Sequence, residues 1–275
     1  MRIPYPHDHH QGSRVIRLNG RVVVYGEVWF DEQPPANAGV DIVVYRYRRA
    51  PVANARTAPL HSLCTDLARP PDAIAAEFNA TCRRHIRQAE ARDGLHHEVI
   101  PAAADRLEEF SAFYDTFARQ KALWPADRQW LARAAAEGQL VLSCASRDGN
   151  RLVWHAHLRC GRIVSLAYSA SWFRSMDSDY RSLVGRANRW LHWRDMLCFK
   201  EAGVQCYDWG GMFEDESTPE RAGINRFKRD FGGQPVHSYE CMVAASARGR
   251  VWLTLREAWR GWQRAQPAAA LRQSS

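Results

Sequence analysis

The chain has almost no lysine. Lys121, Lys200 and Lys228 are the only lysines among the 38 basic residues of this 275-residue sequence. Because arginine is the default basic residue here, each lysine indicates a position that needs a compact ammonium instead of a planar guanidinium. Lys228 fits that demand best, since it lies in a cationic segment just before a glycine pair. A chance surface lysine is the plain alternative.

The chain also lacks a long apolar run and a paired cysteine motif. No stretch approaches the roughly 20 apolar residues that span a bilayer, and the first residues carry no signal-peptide core. The seven cysteines are scattered and never take the C-x-x-C spacing, so we expect reduced buried thiols, no disulfide and no metal site. These absences predict a cytoplasmic protein without a transmembrane segment. The net charge of +8 favours anionic partners.

The pattern along the chain predicts three segments, residues 1–70, 71–245 and 246–275. The first is β-rich, with RVIRL, RVVVYGEVWF and VDIVVYRYR as strands, a two-residue hairpin turn at Asn19–Gly20 and a proline-rich loop from Ala50 to Pro71. The second contains helices on both sides of three consecutive strands, which lie between residues 140 and 170. The third holds a basic amphipathic helix over residues 250–264, whose tryptophans pack on the domain or contact a membrane surface.

A helix is predicted from Asp72 to Arg92, ended by Gly94. Arginines crowd one of its faces, where they bind an anionic part of a substrate or form an ordinary solvated surface. The arginines assigned to substrate binding are Arg83, Arg84 and Arg87. The apolar residues that recur every three or four positions, and are therefore predicted to be buried, are Ile74, Phe78, Cys82, Ile86 and Ala89.

Two histidines, His155 and His157, lie two residues apart in the second of the three strands, so their side chains point to the same face. They are candidates for lining a substrate cleft, as a base or as hydrogen-bonding groups. Histidines that are simply satisfied within a sheet are the alternative reading. No third metal ligand stands at a suggestive spacing.

The stretch from Tyr207 to Gly233 predicts a cleft. A short strand carries Asp208 and Trp209 to the pair Gly210–Gly211, which lets a ligand approach the backbone. An acidic segment, residues 213–221, is expected to form a mobile lid, and a cationic helix follows with Arg226, Phe227 and Lys228. Trp209 and Arg226 are assigned to substrate binding. Asp208 either orients an amine and takes its proton, or caps the turn that follows.

Three pieces of the chain carry a family resemblance. YDWGG with GINRFKRDFGG (207–211 and 223–233) resembles the C-terminal signature of the Fem aminoacyl transferases and of FemAB-like acyltransferases, which have the GNAT fold. FNATCRRHIRQAEARDG (78–94) and GRANRWLHWRDMLCFKEAG (185–203) extend the resemblance. Asp230 departs from the commoner glycine, and Trp209 from phenylalanine.

The resemblance implies an α/β (α+β) fold, in which helices flank a mixed, mainly antiparallel sheet and a small β-rich N-terminal half is a degenerate GNAT-like unit. It places Phe227 and Lys228 at the transfer site, with Lys228 facing a developing oxyanion or a donor phosphate. The implied activity is N-acyl transfer from an activated donor, acyl-CoA or aminoacyl-tRNA, to an amine of a cell-envelope, polysaccharide or amino-sugar precursor. The implied partners are a small or lipid-linked anionic substrate and, for an aminoacyl donor, tRNA.

The sequence does not decide between acyl-CoA and aminoacyl-tRNA as the acyl donor. An acetyl-CoA-dependent GNAT enzyme carries a pyrophosphate loop at the start of its long helix, but here Arg181 to Ala187 has one residue too many, leaving backbone amides and Arg186 for a phosphate. No coiled-coil arm for tRNA is present. The alternatives are an aminoacyl-tRNA-dependent peptidyltransferase of the Fem type and a non-catalytic binding module for a nucleotide-sugar or nucleic acid.

Overall fold

A computed structural model describes residues 15–30, 39–121, 123–172 and 177–265, with side chains up to residue 259. The chain forms two compact units. The larger unit contains Pro59–Ser238, and the smaller unit contains the described residues of 12–58 and 239–275. The sequence predicts consecutive segments with boundaries at residues 70 and 245. A unit that combines two distant stretches of chain cannot be predicted in this way, because the pairing of distant strands is not visible in the sequence. None of the helices among the described residues combines the length and apolar character that crossing a bilayer requires.

The sheet of the larger unit is mainly antiparallel. Its strands lie in the order β4, β9, β8, β7, β6 and β5, and only β8 and β9 pair in parallel. The strands are β4 (Arg56–Asp66), β5 (His96–Ile100), β6 (Leu140–Arg147), β7 (Asn150–Cys160), β8 (Ile163–Ser171) and β9 (Cys206–Gly211).

Helices cover both faces of this sheet. On one face, α1, α2 and α5 build the main core with Ile74, Phe78 and Leu191. On the other face, Phe110 of α3 packs against Trp154 and Tyr168. The α/β fold class predicted from the sequence is confirmed. The helices of this unit are α1 (Pro71–Ala75), α2 (Ala80–Arg92), α3 (Ala104–Gln120), α4 (Arg128–Ala136), α5 (Ser178–Glu201) and α6 (Pro219–Arg229).

The smaller unit consists of four strands covered by a helix. Its strands lie in the order β1, β2, β3, β10, and α7 packs on them through Leu253 and Trp252. Val251, Leu255 and Trp259 on the opposite side of α7 are 60%, 64% and 57% exposed. Its elements are β1 (Ile16–Asn19), β2 (Val24–Trp29), β3 (Ile42–Arg48), β10 (Gln234–Ala244) and α7 (Ala247–Ala265); β4 and β10 run across the boundary between the units.

Several local predictions need correction. The region predicted as a loop from Ala50 to Pro71 contains β4, an 11-residue strand, because strand pairing tolerates Pro59 there. The turn after β1 takes four residues, since Asn19 pairs with Val24. The single helix predicted from Asp72 breaks between α1 and α2, where the Asn79 side chain caps α2 by accepting from the Cys82 amide.

The cysteine prediction is wrong for one pair. Cys64 of β4 and Cys206 of β9 form a disulfide, with Cα atoms 6.4 Å apart. The two strands are antiparallel neighbours, which the sequence could not show because β4 was not recognised as a strand. Within the described residues, no disulfide joins the other cysteines, 82, 144, 160, 198 and 241.

Candidate active site

The parallel strands β8 and β9 pair only at their beginnings. The register joins Ile163 to Cys206 and ends where Ser165 faces Asp208, although β8 continues to Ser171. Gly210 has a φ of 69°, and a Cβ there would lie 2.7 Å from the Leu166 carbonyl oxygen. Only glycine can make this turn against β8. The parallel ladder therefore ends at Ser165 and Asp208, and we refer to this end of the ladder, with Gly210 beside it, as the notch.

Asp208 fixes the position of this notch. Its buried carboxylate accepts hydrogen bonds from Ser62 Oγ at 2.8 Å, Ser165 Oγ at 3.2 Å and the Gly210 amide at 2.7 Å. These donors come from β4, β8 and β9, so one side chain ties three adjacent strands together. The geometry supports the reading of Asp208 as a cap for the following turn, one of the two roles that the sequence left open.

Lys228 reaches the same place from α6. Its Nζ donates to the Gly211 carbonyl at 2.6 Å and to the Gly210 carbonyl at 3.5 Å. Burial lowers the pKa of Lys228 to about 8, and the nearby Asp208 charge opposes that shift only in part. At neutral pH the side chain therefore carries a charge that is poorly solvated and partly bound to carbonyl dipoles.

Phe227 and Asp230 hold α6 in place. The half-buried Phe227 ring lies 5.6 Å from the His192 ring, and the Arg189 guanidinium stacks over it at 4.8 Å. Asp230 accepts from Arg189 at 2.9 Å and from the Asn79 side chain at 2.7 Å. The aspartate that departs from the family pattern thus links α6 to α2 and α5.

A buried imidazole network lies behind the notch. His155 and His157 share a face of β7 as predicted, and α5 supplies His192 and Asp195. His155 Nδ1 lies 2.8 Å from Asp195 Oδ2, while Tyr207 OH lies 3.0 Å from His157 Nε2 and 2.9 Å from His192 Nδ1. Tyr207 directly precedes Asp208, so this network fixes β9 from the other side.

Burial keeps the two histidines next to Tyr207 uncharged. It lowers the pKa of His157 to about 3 and that of His192 well below 6.5. Burial alone would raise the pKa of Asp195, but hydrogen bonds from His155 and His97 lower it. Burial, together with the Asp195 and Asp208 charges, raises the pKa of Tyr207 well above 10. The network therefore places the charged Asp195 carboxylate next to the polar rings of these side chains.

This network is also the place where a metal could bind. His155, His157 and Asp195 each offer one donor atom, and the three atoms lie within 4.8 Å of one another. The sequence shows no third ligand because Asp195 belongs to another element, 38 residues after His157. The donor atoms already have hydrogen-bond partners: Asp195 for His155 and Tyr207 for His157. Binding a metal would therefore require these bonds to break.

The predicted substrate-binding arginines lie in different settings. Arg83 donates to the carbonyls of Ala76 and Phe78, so its guanidinium caps the turn before α2. Arg84, Arg87 and Arg226 are exposed, and none of the three makes an ion pair with another described residue. These exposed arginines remain free to meet an anion, whereas Arg83 already has partners within the protein.

Arg186 and Trp209 do not line the notch in this structure. Arg186 forms a two-bond ion pair with Asp93, at 2.7 Å and 2.9 Å. Trp209 is fully buried and donates to Thr65 Oγ1 at 3.0 Å, so it is a core residue. The segment from Arg181 to Ala187, compared with a pyrophosphate loop above, lies inside α5, where helical hydrogen bonding uses its amides. The expectation that these amides bind phosphate is wrong.

Ser62, Ser165, Tyr207, His192 and Asp195 are the site residues that the sequence did not reveal. Ser62 lies in the segment that the sequence predicts to be a loop and that forms β4. His192 and Asp195 stand three residues apart on one face of α5, and that spacing of polar residues on a predicted core helix was the available signal.

The protein family described as acetyltransferase (GNAT) domain matches residues 76–229, more than half of the chain. The chain belongs to this family. It therefore has the GNAT fold. Among curated proteins, none matches the sequence.

Solved structures show the same fold at low sequence identity. FemX is 14% identical, with a TM-score of 0.57 over 72% of this chain and 64% of its own. The C-terminal domain of a protein described as a lysylphosphatidylglycerol synthetase from Agrobacterium fabrum is 13% identical, with a TM-score of 0.52 over 88% and 84%. L-PGS from Bacillus licheniformis is 12% identical, with a TM-score of 0.51 over 89% and 88%. The chain spans less than two thirds of the length of FemX.

Proposed function

We propose that this GNAT protein is an N-acyltransferase that acylates an amine of a cell-envelope, polysaccharide or amino-sugar precursor, with reaction at the notch between β8 and β9. The observation that carries the proposal is Lys228, whose ammonium is partly desolvated at the point where the parallel ladder ends. Acyl-CoA is the usual donor for this fold, and it would supply an activated thioester. The exposed Arg84, Arg87 and Arg226 are the arginines still available for its phosphates.

The reaction needs few covalent steps from the protein. The amine nitrogen attacks the acyl carbon, a C–N bond forms and the C–S bond breaks; the thiolate leaves and takes up one proton, while the ammonium form of the amine gives up two. Negative charge develops on the acyl oxygen during the attack. The Lys228 ammonium stabilises that charge by exchanging its weak contact with the Gly210 carbonyl for the oxyanion. Asp208 and Tyr207 hold the strand that carries those carbonyls.

A lipid-linked substrate is the second candidate, since one feature of the smaller unit favours it. The exposed stripe of Val251, Leu255 and Trp259 on α7 is the kind of surface that enters a membrane interface. The name of one structural neighbour gives an aminoacylated phospholipid as its product. In that case the donor would be aminoacyl-tRNA and the acyl group an amino acid. Transfer from each donor class, measured with and without anionic vesicles, separates the two candidates.

The test of the main proposal is replacement of Lys228. We expect Lys228→Ala to lower kcat by about 100-fold or more, because the contact with the oxyanion forms only in the transition state. Stability should fall only slightly, by about the cost of the lost hydrogen bond to the Gly211 carbonyl. Lys200→Ala is the matched control, since Lys200 Nζ also donates to a backbone carbonyl, that of Leu67, at 2.7 Å. The substrates are those found by screening acyl-CoAs, aminoacyl-tRNA and UDP-sugars against amines. An unchanged kcat in Lys228→Ala would overturn the assignment.

The pH dependence gives an independent test. The charged form of Lys228 is the active one in this proposal, and its pKa is about 8, so kcat should fall as pH rises through 8. Lys228→Arg cannot lose its charge in this range, and its remaining activity should lack that decline. A wild-type rate that instead rises through pH 8 would assign Lys228 as a base.

A further inference from the structure

A cavity of about 420 Å³ lies beside the reaction centre and has no part in the steps above. It is formed by β4, the loop between β9 and α6, the turn after α6 and the start of β10. The cavity and the notch share two structural features. Ser62 lines the cavity and donates to Asp208, and Met212 lines it directly after Gly211, the main acceptor of Lys228. The cavity therefore adjoins residues next to those that hold Asp208 and Lys228 in place.

The charges around this cavity are negative on balance. Arg229 is the one basic side chain named among its lining residues, and it is paired with Glu216. Glu214 also lines the cavity and makes no hydrogen bond with another described residue. Its nearest charged or chargeable partner is the His61 ring, with Nε2 4.0 Å from Glu214 Oε2. One carboxylate therefore faces the cavity without a cation.

The wall next to this carboxylate is made of two imidazoles. The His61 and His237 rings meet edge to face, with centroids 4.7 Å apart. The ring nitrogens of His61 and His237 make no hydrogen bond within the described part of the chain. Each ring can therefore accept a hydrogen bond from a ligand. The lining combines one carboxylate with two imidazoles, and its one guanidinium is already paired. Such a lining selects a positively charged hydrogen-bond donor.

We propose that this cavity binds the acceptor substrate as an ammonium ion, with Glu214 as its counter-ion and the His61–His237 pair as its hydrogen-bonding wall. The inference rests on the proposed acyl transfer, in which an amine is the nucleophile. The volume lies near the lower end of small-molecule sites, which suits one sugar or one amino acid rather than a large ligand. The ammonium enters as the stable form at neutral pH, before it loses its proton at the notch.

Ligand-observed NMR on the full chain tests this with matched probes. D-glucosamine and glycinamide carry an ammonium; their neutral counterparts are N-acetyl-D-glucosamine and N-acetylglycinamide. We expect at least one amine to bind in the millimolar range, about fivefold tighter than its neutral counterpart, because an ion pair at an exposed carboxylate is worth up to about 1 kcal/mol. Glu214→Gln should abolish that preference. Glu220→Gln, which changes an exposed carboxylate of α6 outside the cavity, should retain it.

Three results would refute the cavity assignment: equal binding of amines and neutral counterparts, no binding of either amine, or an unchanged preference in Glu214→Gln. The proposed function fails separately. Selective amine binding without any acyl transfer would keep the cavity and reject the reaction. Acyl transfer to amines with the same KM in wild type and Glu214→Gln would keep the reaction and reject the cavity.

Discussion

Asp208 is a side chain whose hydrogen bonds explain its position. A carboxylate has about four acceptor sites, and here Ser62, Ser165 and the Gly210 amide use three of them in a fully buried setting. Such a group sets the position at which β9 leaves β8. It is poorly placed to take a proton from a substrate, since its oxygens already serve the neighbouring strands.

Replacing Asp208 separates an anchor from a base. Asp208→Asn keeps the shape but turns one acceptor oxygen into a donor that faces another donor. We expect the free energy of unfolding to fall by about 2–4 kcal/mol, since an unsatisfied buried polar group costs about 1–3 kcal/mol and the charge-assisted bonds are also lost. Urea denaturation measures it. Ser165→Ala removes a single donor and should cost about 1 kcal/mol. If Asp208→Asn is as stable as wild type but inactive, Asp208 is a base.

Asn225 plays a similar structural role where β9 leads into α6. Its side chain is fully buried, accepts from the Phe213 amide at 3.0 Å and donates to the Phe213 carbonyl at 2.7 Å and to Glu216 at 2.8 Å. The loop that looked unconstrained in sequence is therefore held at Phe213, and α6 already begins at Pro219. Residues 214–218 lie between these two fixed points and form a shorter segment than the predicted lid.

The lid hypothesis gives an element-scale prediction. Backbone amides of residues 214–218 should exchange quickly in the free protein and slow when donor and acceptor are both bound, because their side chains are exposed and three of them border the cavity or pair with α6. The Met212 and Phe213 amides, which donate to His61 and Asn225, should exchange slowly throughout. Hydrogen exchange read by mass spectrometry is the measurement. Equal exchange in both states would leave an ordinary surface loop.

Elements with strong periodicity could be predicted, and those defined by pairing could not. Ile74, Phe78 and Cys82 are buried as expected although the helix breaks between α1 and α2, because the spacing of apolar residues is a local pattern. β4 was missed because its residues include Pro59 and polar side chains, and it is a strand only through its neighbours.

The candidate site divides in the same way. Lys228 and Asp208 were found through a local motif, and the structure brings them to one place. His192 and Asp195 were not found, because they come into contact with β7 only in three dimensions. The sequence predicts the segment around Glu214 only as an acidic loop. It cannot predict the cavity, because the imidazole wall opposite Glu214 comes from β4 and β10.

At the scale of the whole molecule, the imidazole network ties stability to pH. His157, with its pKa lowered to about 3, and His192 stay neutral in the folded state, whereas an unfolded histidine titrates near about 6.5. Between those values the unfolded chain binds protons that the folded chain cannot, so the free energy of unfolding falls as pH drops below about 6.5. Asp195, whose pKa is also lowered, adds to the loss at the acid end, below about pH 4.

The size of this effect can be bounded and measured. Each such histidine contributes a slope of up to about 1.4 kcal/mol per pH unit, so the two together should produce a steep loss of stability between about pH 6 and pH 4. Urea denaturation at several pH values gives the slope. His157→Gln removes one titrating group and should make the slope shallower by up to about half, even if the variant is less stable overall. The exposed His96→Gln is the matched control and should keep the wild-type slope. A wild-type slope near zero in this range would mean that these histidines take up protons without unfolding, and the network would then carry charge inside the folded protein.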